Sequence, residues 1–93
     1  MHDDPVQIPI EDVLDLHPFQ PGQISEVALE YLQEARRRGF RQVRLIHGRG
    51  IGVQRERIQK LLQSLDWVEA WHDADPSGGG WGATVVLIKP VGS

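Results

Sequence analysis

The sequence contains no cysteine, no excess of positive charge and no long apolar run. Without cysteine the chain cannot form disulfides, thiolate zinc sites or a cysteine nucleophile, and a reduced cytoplasmic setting is expected. No apolar segment approaches the roughly 20 residues that cross a bilayer, so we expect no membrane partner. The N-terminal segment MHDDPVQIPIED is acidic and lacks a basic start, so we expect no signal peptide there.

The overall charge and the length limit the class of protein. A net charge of −3 argues against a non-specific nucleic-acid coat protein, because such proteins are usually strongly basic. Any nucleic-acid binding must therefore come from a local patch. With 93 residues, 40% of them hydrophobic and 25% charged, the chain is long enough for one buried core and too short for two. We expect a single globular domain.

Hydrophobic periodicity predicts the element order β-α-β-α-β-β. Four strands are predicted, over residues 7–16, 41–48, 67–73 and 83–90. A helix runs from Ile24 to the glycine cap at Gly39, which suits a parallel crossover between the first two strands. Two helices cannot cover both faces of a four-stranded sheet. We therefore expect a two-layer α/β sandwich with a mixed sheet and both helices on one face.

A histidine follows each of the first two predicted strands. In the segment LDLH, the alternation places Asp15 and His17 on one strand face and the leucines on the other. His47 ends the second strand, and parallel strands bring their carboxyl ends to one edge, where open α/β sheets bind ligands. Imidazole suits proton transfer near neutrality, and a carboxylate can orient it. We predict a catalytic set of Asp15, His17 and His47; the alternative is a capped strand end with two exposed histidines.

The turn after the second strand, HGRGIG, is rich in glycine. Glycines permit a sharp turn and the close approach of a ligand, and the following helix offers unpaired N–H groups to an anion. Arg49 adds a guanidinium that can hold a phosphate. Because Val53 stands where a dinucleotide fingerprint needs glycine, we predict a generic phosphate cradle, with a tight βα turn as the alternative. The predicted substrate-binding glycines are Gly48, Gly50 and Gly52.

The tryptophans differ in their surroundings. Trp81 lies in GGGWG, where its immediate neighbours cannot bury it. It is predicted to stack on an unpaired base, the alternative being a ring folded back onto the sheet. Trp67 and Trp71 are expected to pack. The segment HDAD has the residue types of a metal site but no supporting ligands, so a polar loop is expected.

Three motifs together carry a family resemblance. They occur in order along the chain, with the predicted helices between them: LDLH at 14–17, IHGRG at 46–50 and GGWGATVV at 79–86. The chain resembles the Smr (small MutS-related) domain family over residues 8–90, with 1–7 as a flexible lead-in and 91–93 as a tail. The resemblance implies a two-layer β-α-β-α-β-β sandwich similar to the C-terminal domain of a bacterial translation initiation factor.

The resemblance also implies a function. It implies a nucleic-acid endonuclease or nickase, with Asp15 and His17 acting in cleavage and residues 47–50 in substrate binding and catalysis. Pro18 departs from the family, because many members have glycine after this histidine. The first loop then either contacts substrate differently or is inactive.

The substrate and its chemistry stay open from the residues alone. RNA or DNA, single-stranded or branched, is the expected partner. With RNA, the 2′-hydroxyl can attack without a metal ion. With DNA, water must attack, and Mg²⁺ or Mn²⁺ at Asp15 becomes the expected cofactor. The rivals are a non-catalytic module that binds nucleic acid or protein at the same edge, and a protein-interaction domain that uses the open sheet face.

Overall fold

A computed structural model describes residues 10–48, 50 and 52–92. Its main elements are β1 (Val13–Asp15), α1 (Ile24–Arg37), β2 (Gln42–Ile46), α2 (Val53–Gln63), β3 (Val68–Asp73) and β4 (Ala83–Ile88). Short 3-10 turns cover Pro21–Gln23, Pro76–Gly78 and Gly80–Gly82. The predicted element order and fold class are confirmed. The described helices include none long and apolar enough to cross a membrane.

The strands form one mixed sheet in the order β1-β2-β4-β3. β1 pairs in parallel with β2, and β4 is antiparallel to both of its neighbours. The crossover through α1 therefore brings the carboxyl ends of β1 and β2 to the same edge of the sheet. β1 is shorter than predicted because it lies at the sheet edge, where only residues 13–15 pair with β2; residues 7–9 lie outside the described part of the chain.

Both helices pack on one face of the sheet, as predicted. The helical side of the core consists of Ile24, Ala28, Leu32 and Ala35 from α1 and Ile58 and Leu62 from α2. The sheet contributes Leu16, Val43, Leu45, Val68, Val86 and Ile88. Trp67 and Trp71 pack against this cluster, as expected. The opposite face of the sheet carries half-buried side chains that include Arg44 and Val85.

The end of α1 sets the position of β2. Gly39 has a φ of +89° and donates its N–H to the Arg36 carbonyl, while the Phe40 N–H donates to the Ala35 carbonyl. These two bonds form a Schellman cap, which satisfies carbonyls at the end of the helix and turns the chain. The predicted cap at Gly39 thus directs β2 alongside β1.

Candidate functional site

Asp15 and His17 form a pair at the exposed end of β1. The carboxylate Oδ1 of Asp15 accepts hydrogen bonds from the backbone N–H of His17 at 2.9 Å and from its ring Nδ1 at 2.7 Å. These bonds, the backbone one first, lower the pKa of Asp15, so the carboxylate stays ionised near neutral pH. Because a carboxylate only accepts, the proton of a neutral His17 ring resides on Nδ1. Its Nε2 is then the ring atom with a lone pair to offer.

The backbone on both sides of His17 is anchored. Leu16 is fully buried, and its N–H donates to the Ile46 carbonyl at 2.8 Å. The Phe19 N–H closes the following turn by donating to the Leu16 carbonyl at 3.1 Å. Pro18 lies inside this turn, where its missing N–H is not needed. The turn therefore accommodates the proline while it holds His17 at the surface.

His47 lies in a different environment, with only 6% of its surface exposed. Its Nδ1 lies 3.1 Å from the Gly48 carbonyl, and its Nε2 lies 2.8 Å from the hydroxyl of fully buried Thr84. A carbonyl only accepts, so Nδ1 donates, and Nε2 accepts from the hydroxyl. Burial is the main cause that lowers the pKa of His47. The ring is therefore held in its neutral form.

Gly48 brings the two histidine turns together. Its φ is +86°, and a Cβ atom at this position would lie 2.9 Å from Nε2 of His17. A side chain is therefore excluded both by the backbone conformation and by the histidine ring. The N–H groups of His47 and Gly48 both donate to the Gly82 carbonyl, at 3.0 and 2.9 Å. These bonds end β2 at Ile46, before the predicted boundary, and tie its turn to the segment before β4.

One cleft of about 370 Å³ collects most of the predicted site residues. It is lined by His17, His47, Gly48, Gly50 and Gly52, together with Val53 and Gln54 from the first turn of α2. Trp81 is 41% exposed, and its ring lies 4.0 Å from where a Cβ on Gly52 would stand. The structure thus brings these predicted residues to one place. Arg49 lies outside the described residues, so its predicted role as a phosphate ligand stays a prediction.

The start of α2 gives the cleft a partial positive charge. Gly52 precedes the helix with a φ of +85°, and no side chain caps the first turn. The first N–H groups of a helix have no intrahelical partner, and the helix dipole favours an anion there. Arg55 does not add a free cation, because it holds Asp73 with two hydrogen bonds of 3.0 and 2.9 Å. Among the described residues of the cleft, the anion-binding capacity therefore belongs to the backbone.

A preformed metal site is not present among the described residues. They include no group of three or more His, Asp or Glu side chains placed to hold one ion. Asp15 uses Oδ1 for two hydrogen bonds to His17. Mg²⁺ is often held by one or two carboxylates together with substrate phosphates. Asp15 fits only that kind of shared site. In the HDAD segment, His72 and Asp73 belong to β3, so the expected polar loop begins only after Asp73.

Thr84 is a residue of this site that the sequence analysis did not single out. The signal was present, since a lone hydroxyl interrupts the apolar strand ATVVLI. A buried hydroxyl needs a hydrogen-bond partner. The sequence alone does not say that this partner stands 37 positions earlier, at the end of β2.

Sequence comparisons relate this chain to known proteins. The chain matches the family model of the Smr domain over residues 14–89. Over 70 residues it is 41% identical to Endonuclease MutS2 of Thermus thermophilus, a match that covers 72% of this chain and 9% of that protein. Over 76 residues it is 34% identical to Endonuclease MutS2 of Staphylococcus saprophyticus, with coverage of 82% and 10%. The chain spans about a tenth of the length of these curated relatives.

Two solved structures share the fold. The Smr domain of Thermus thermophilus MutS2 superposes with a TM-score of 0.81 at 35% identity, covering 86% of this chain and all of that one. YdaL, a stand-alone small MutS-related protein from Escherichia coli, superposes with a TM-score of 0.80 at 27% identity. That match covers 90% of this chain and 69% of YdaL.

Proposed function

This chain belongs to the Smr domain family, and from that premise we propose that it cleaves phosphodiester bonds in nucleic acid. One observation carries the proposal. The exposed ring of His17, held by Asp15 through Nδ1, faces the glycine turn at the start of α2 with Nε2. A proton-transfer group and an anion cradle thus share one cleft. The relatives named Endonuclease MutS2 support the same activity.

In the proposed complex, a phosphate group binds in the cleft beside His17, which acts as the general base. The phosphate lies over Gly48 and Gly52, where N–H groups at the start of α2 donate to its non-bridging oxygens. The Nε2 lone pair of neutral His17 takes the proton from the attacking oxygen. Asp15 fixes the tautomer and stabilises the imidazolium that forms. The protonated ring then returns its proton to the leaving oxygen.

The attacking oxygen depends on the substrate. In RNA it is the neighbouring 2′-hydroxyl, and in DNA it is water. The prediction that His47 shares the proton transfers is untested. Both of its ring nitrogens are engaged by protein groups, so we assign the two proton steps to His17 alone.

The exposed aromatic rings favour an unpaired region of the strand. Trp81 stands beside Gly52 at the rim of the cleft, and Phe19 is 37% exposed in the turn after His17. Stacking of one base on an aromatic ring contributes roughly 1–3 kcal/mol and tolerates any base. We therefore propose single-stranded or branched nucleic acid as the substrate class, and a cytoplasmic location where such substrates occur.

The test uses labelled RNA and DNA, as single strands and as hairpins, with and without EDTA. Loss of a general acid–base group costs typically about 10²–10⁴-fold, so His17→Ala is expected to lose at least about 100-fold in cleavage rate. His72→Ala is the matched control. It also removes an exposed imidazole, but His72 lies on β3, away from the cleft. If EDTA stops the cleavage of DNA but not of RNA, the result supports attack by water on DNA.

Two results would count against the proposal. Cleavage that persists unchanged in His17→Ala removes the assigned base. Salt-dependent binding without strand scission, with Mg²⁺ or Mn²⁺ supplied, selects the non-catalytic binding module instead.

A further inference from the structure

Thr84 and His47 are hydrogen-bonded to each other inside the protein. Thr84 lies on the helix-facing side of β4, opposite Leu45 of β2, and is fully buried. Its hydroxyl is 2.8 Å from Nε2 of His47. A buried polar group without a hydrogen-bond partner destabilises the folded protein. The contact therefore fixes the rotation of the ring as well as the hydroxyl.

The ring has no nitrogen left for a reacting group. Nδ1 donates to the Gly48 carbonyl, and the lone pair on Nε2 accepts from Thr84. To take a proton from substrate, His47 would have to give up the hydroxyl, and to donate one it would have to release the carbonyl. Either exchange leaves a buried polar group unpaired.

The ring instead acts on the position of Gly48. The Gly48 carbonyl accepts from the ring, and its N–H donates to the Gly82 carbonyl. Its Cα faces Nε2 of His17 with no room for a methyl group. All three contacts involve Gly48. A change in the His47 ring is therefore expected to move Gly48 relative to Nε2 of His17. A misplacement of about 1 Å in a catalytic site can cost about 100-fold.

We propose that His47 is a positioning residue, which together with Thr84 holds the Gly48 turn against His17, and that it exchanges no proton with substrate. This inference rests on the proposed function of His17 for its catalytic consequence. The positioning itself is a property of the folded protein and is measurable without substrate.

The first test is spectroscopic and needs no activity. In ¹⁵N-labelled protein, the His47 ring is expected to show the neutral tautomer with the proton on Nδ1. It is expected to gain its second proton at a lower pH than an ordinary histidine, because burial lowers its pKa. Thr84→Val, which removes the hydroxyl at constant shape, should shift the ring signals of both His47 and His17. Thr84→Ser keeps the hydroxyl and should leave them near their wild-type positions. A His47 ring that carries its proton on Nε2 would overturn the inference. So would His17 ring signals that do not shift in Thr84→Val.

The second test uses cleavage. Glutamine in place of His47 can still donate and accept hydrogen bonds but cannot transfer protons near neutral pH. His47→Gln is expected to retain cleavage within about tenfold, with the pH profile of the wild type, whereas a lost acid–base group costs typically about 10²–10⁴-fold. His47→Phe, which loses both bonds, is expected to lose about 100-fold. Disappearance of one limb of the pH profile in His47→Gln would overturn the inference.

The two proposals fail in different ways. The wild-type protein could show the expected His47 tautomer and the expected response of His17 to Thr84→Val, yet cleave no substrate. That result refutes the nuclease activity and supports the positioning role. Cleavage that requires His17 and also a titrating His47 refutes the positioning role and leaves the activity supported. Chemical denaturation of each variant checks that a loss does not come from unfolding.

Discussion

The turn after β1 and the turn after β2 each carry a histidine at the same edge of the sheet, but the two rings have opposite surroundings. His17 is exposed and bonded to the ionised carboxylate of Asp15. His47 is buried and bonded to the neutral hydroxyl of Thr84. One ring keeps a nitrogen facing the glycine turn, whereas both nitrogens of the other are taken by the protein.

The difference shows that the chemistry of a histidine comes from burial and partners, and not from its place in the topology. The carboxylate partner of His17 occupies Nδ1 and leaves Nε2 exposed, which suits a proton carrier. Burial with a hydroxyl partner favours the neutral ring, which suits a structural hydrogen-bond bridge. Gly48 is the point of contact between the two turns, so a substitution there is expected to disturb both histidines most strongly.

The largest effect is expected from Gly48→Ala. The new Cβ would meet Nε2 of His17 at 2.9 Å, so cleavage should fall by about 100-fold or more. Gly39→Ala is a matched control, because Gly39 has a similar φ of +89° but nothing within 4 Å of its added Cβ. Both variants should lose about 1–2 kcal/mol of unfolding free energy from the left-handed backbone. Equal activity in the two variants would contradict the contact between the turns.

A smaller effect is expected from Asp15→Asn. The amide oxygen can still accept from His17, but the negative charge that stabilises the imidazolium is lost. In a buried triad the equivalent change costs about 10⁴-fold, and in this exposed pair we expect about 10–100-fold in cleavage rate. Asp75→Asn is the control, since that carboxylate caps a different turn at Gly78. A rate in Asp15→Asn equal to that of the control would show that the carboxylate does not assist His17.

The smallest effect concerns the pH dependence of stability. Because burial lowers the pKa of His47 in the folded state, the unfolded chain binds a proton first as the pH falls below about 6.5. Stability should therefore decrease from that pH down to the folded pKa, by at most about 1.4 kcal/mol per pH unit. Arg55, Asp73 and His17 also act on this ring by their charge, and burial outweighs them.

Urea titrations between pH 7.5 and 5.5 measure this dependence. His47→Gln should flatten it, and His72→Gln, which changes an exposed ring, should not. Curves with the same slope in all three proteins would contradict a buried, neutral His47.

Much of the fold and of the cleft follows from local sequence patterns. The helix between two strands predicted a parallel crossover, and the crossover predicted that residues 17 and 47 meet at one edge. The alternation in LDLH predicted that Asp15 and His17 share a face. Each of these inferences needs only the period of an element or the handedness of a connection.

The burial of His47 could not be read from such patterns. It depends on β4, which inserts between β2 and β3 and brings Thr84 and the Gly82 carbonyl to the end of β2. The mostly apolar sequence of β4 is typical of a central strand, but strand order is a property of distant pairing. The position of Trp81 beside Gly52 has the same origin, because the turn Gly80–Gly82 leads directly into β4.

The shortness of β1 has a consequence for how the protein loses function on warming. Three residues pair with β2 in this edge strand, whereas β4 is bracketed by a partner on each side. Edge elements with few pairings open in local excursions that need less free energy than global unfolding. Such an excursion carries Asp15 and His17 away from Gly48 and withdraws Leu16, which lies between them, from its place in the core. Thermal inactivation should thus begin below the cooperative melt, and the amide protons of β1 should exchange with solvent before those of β4.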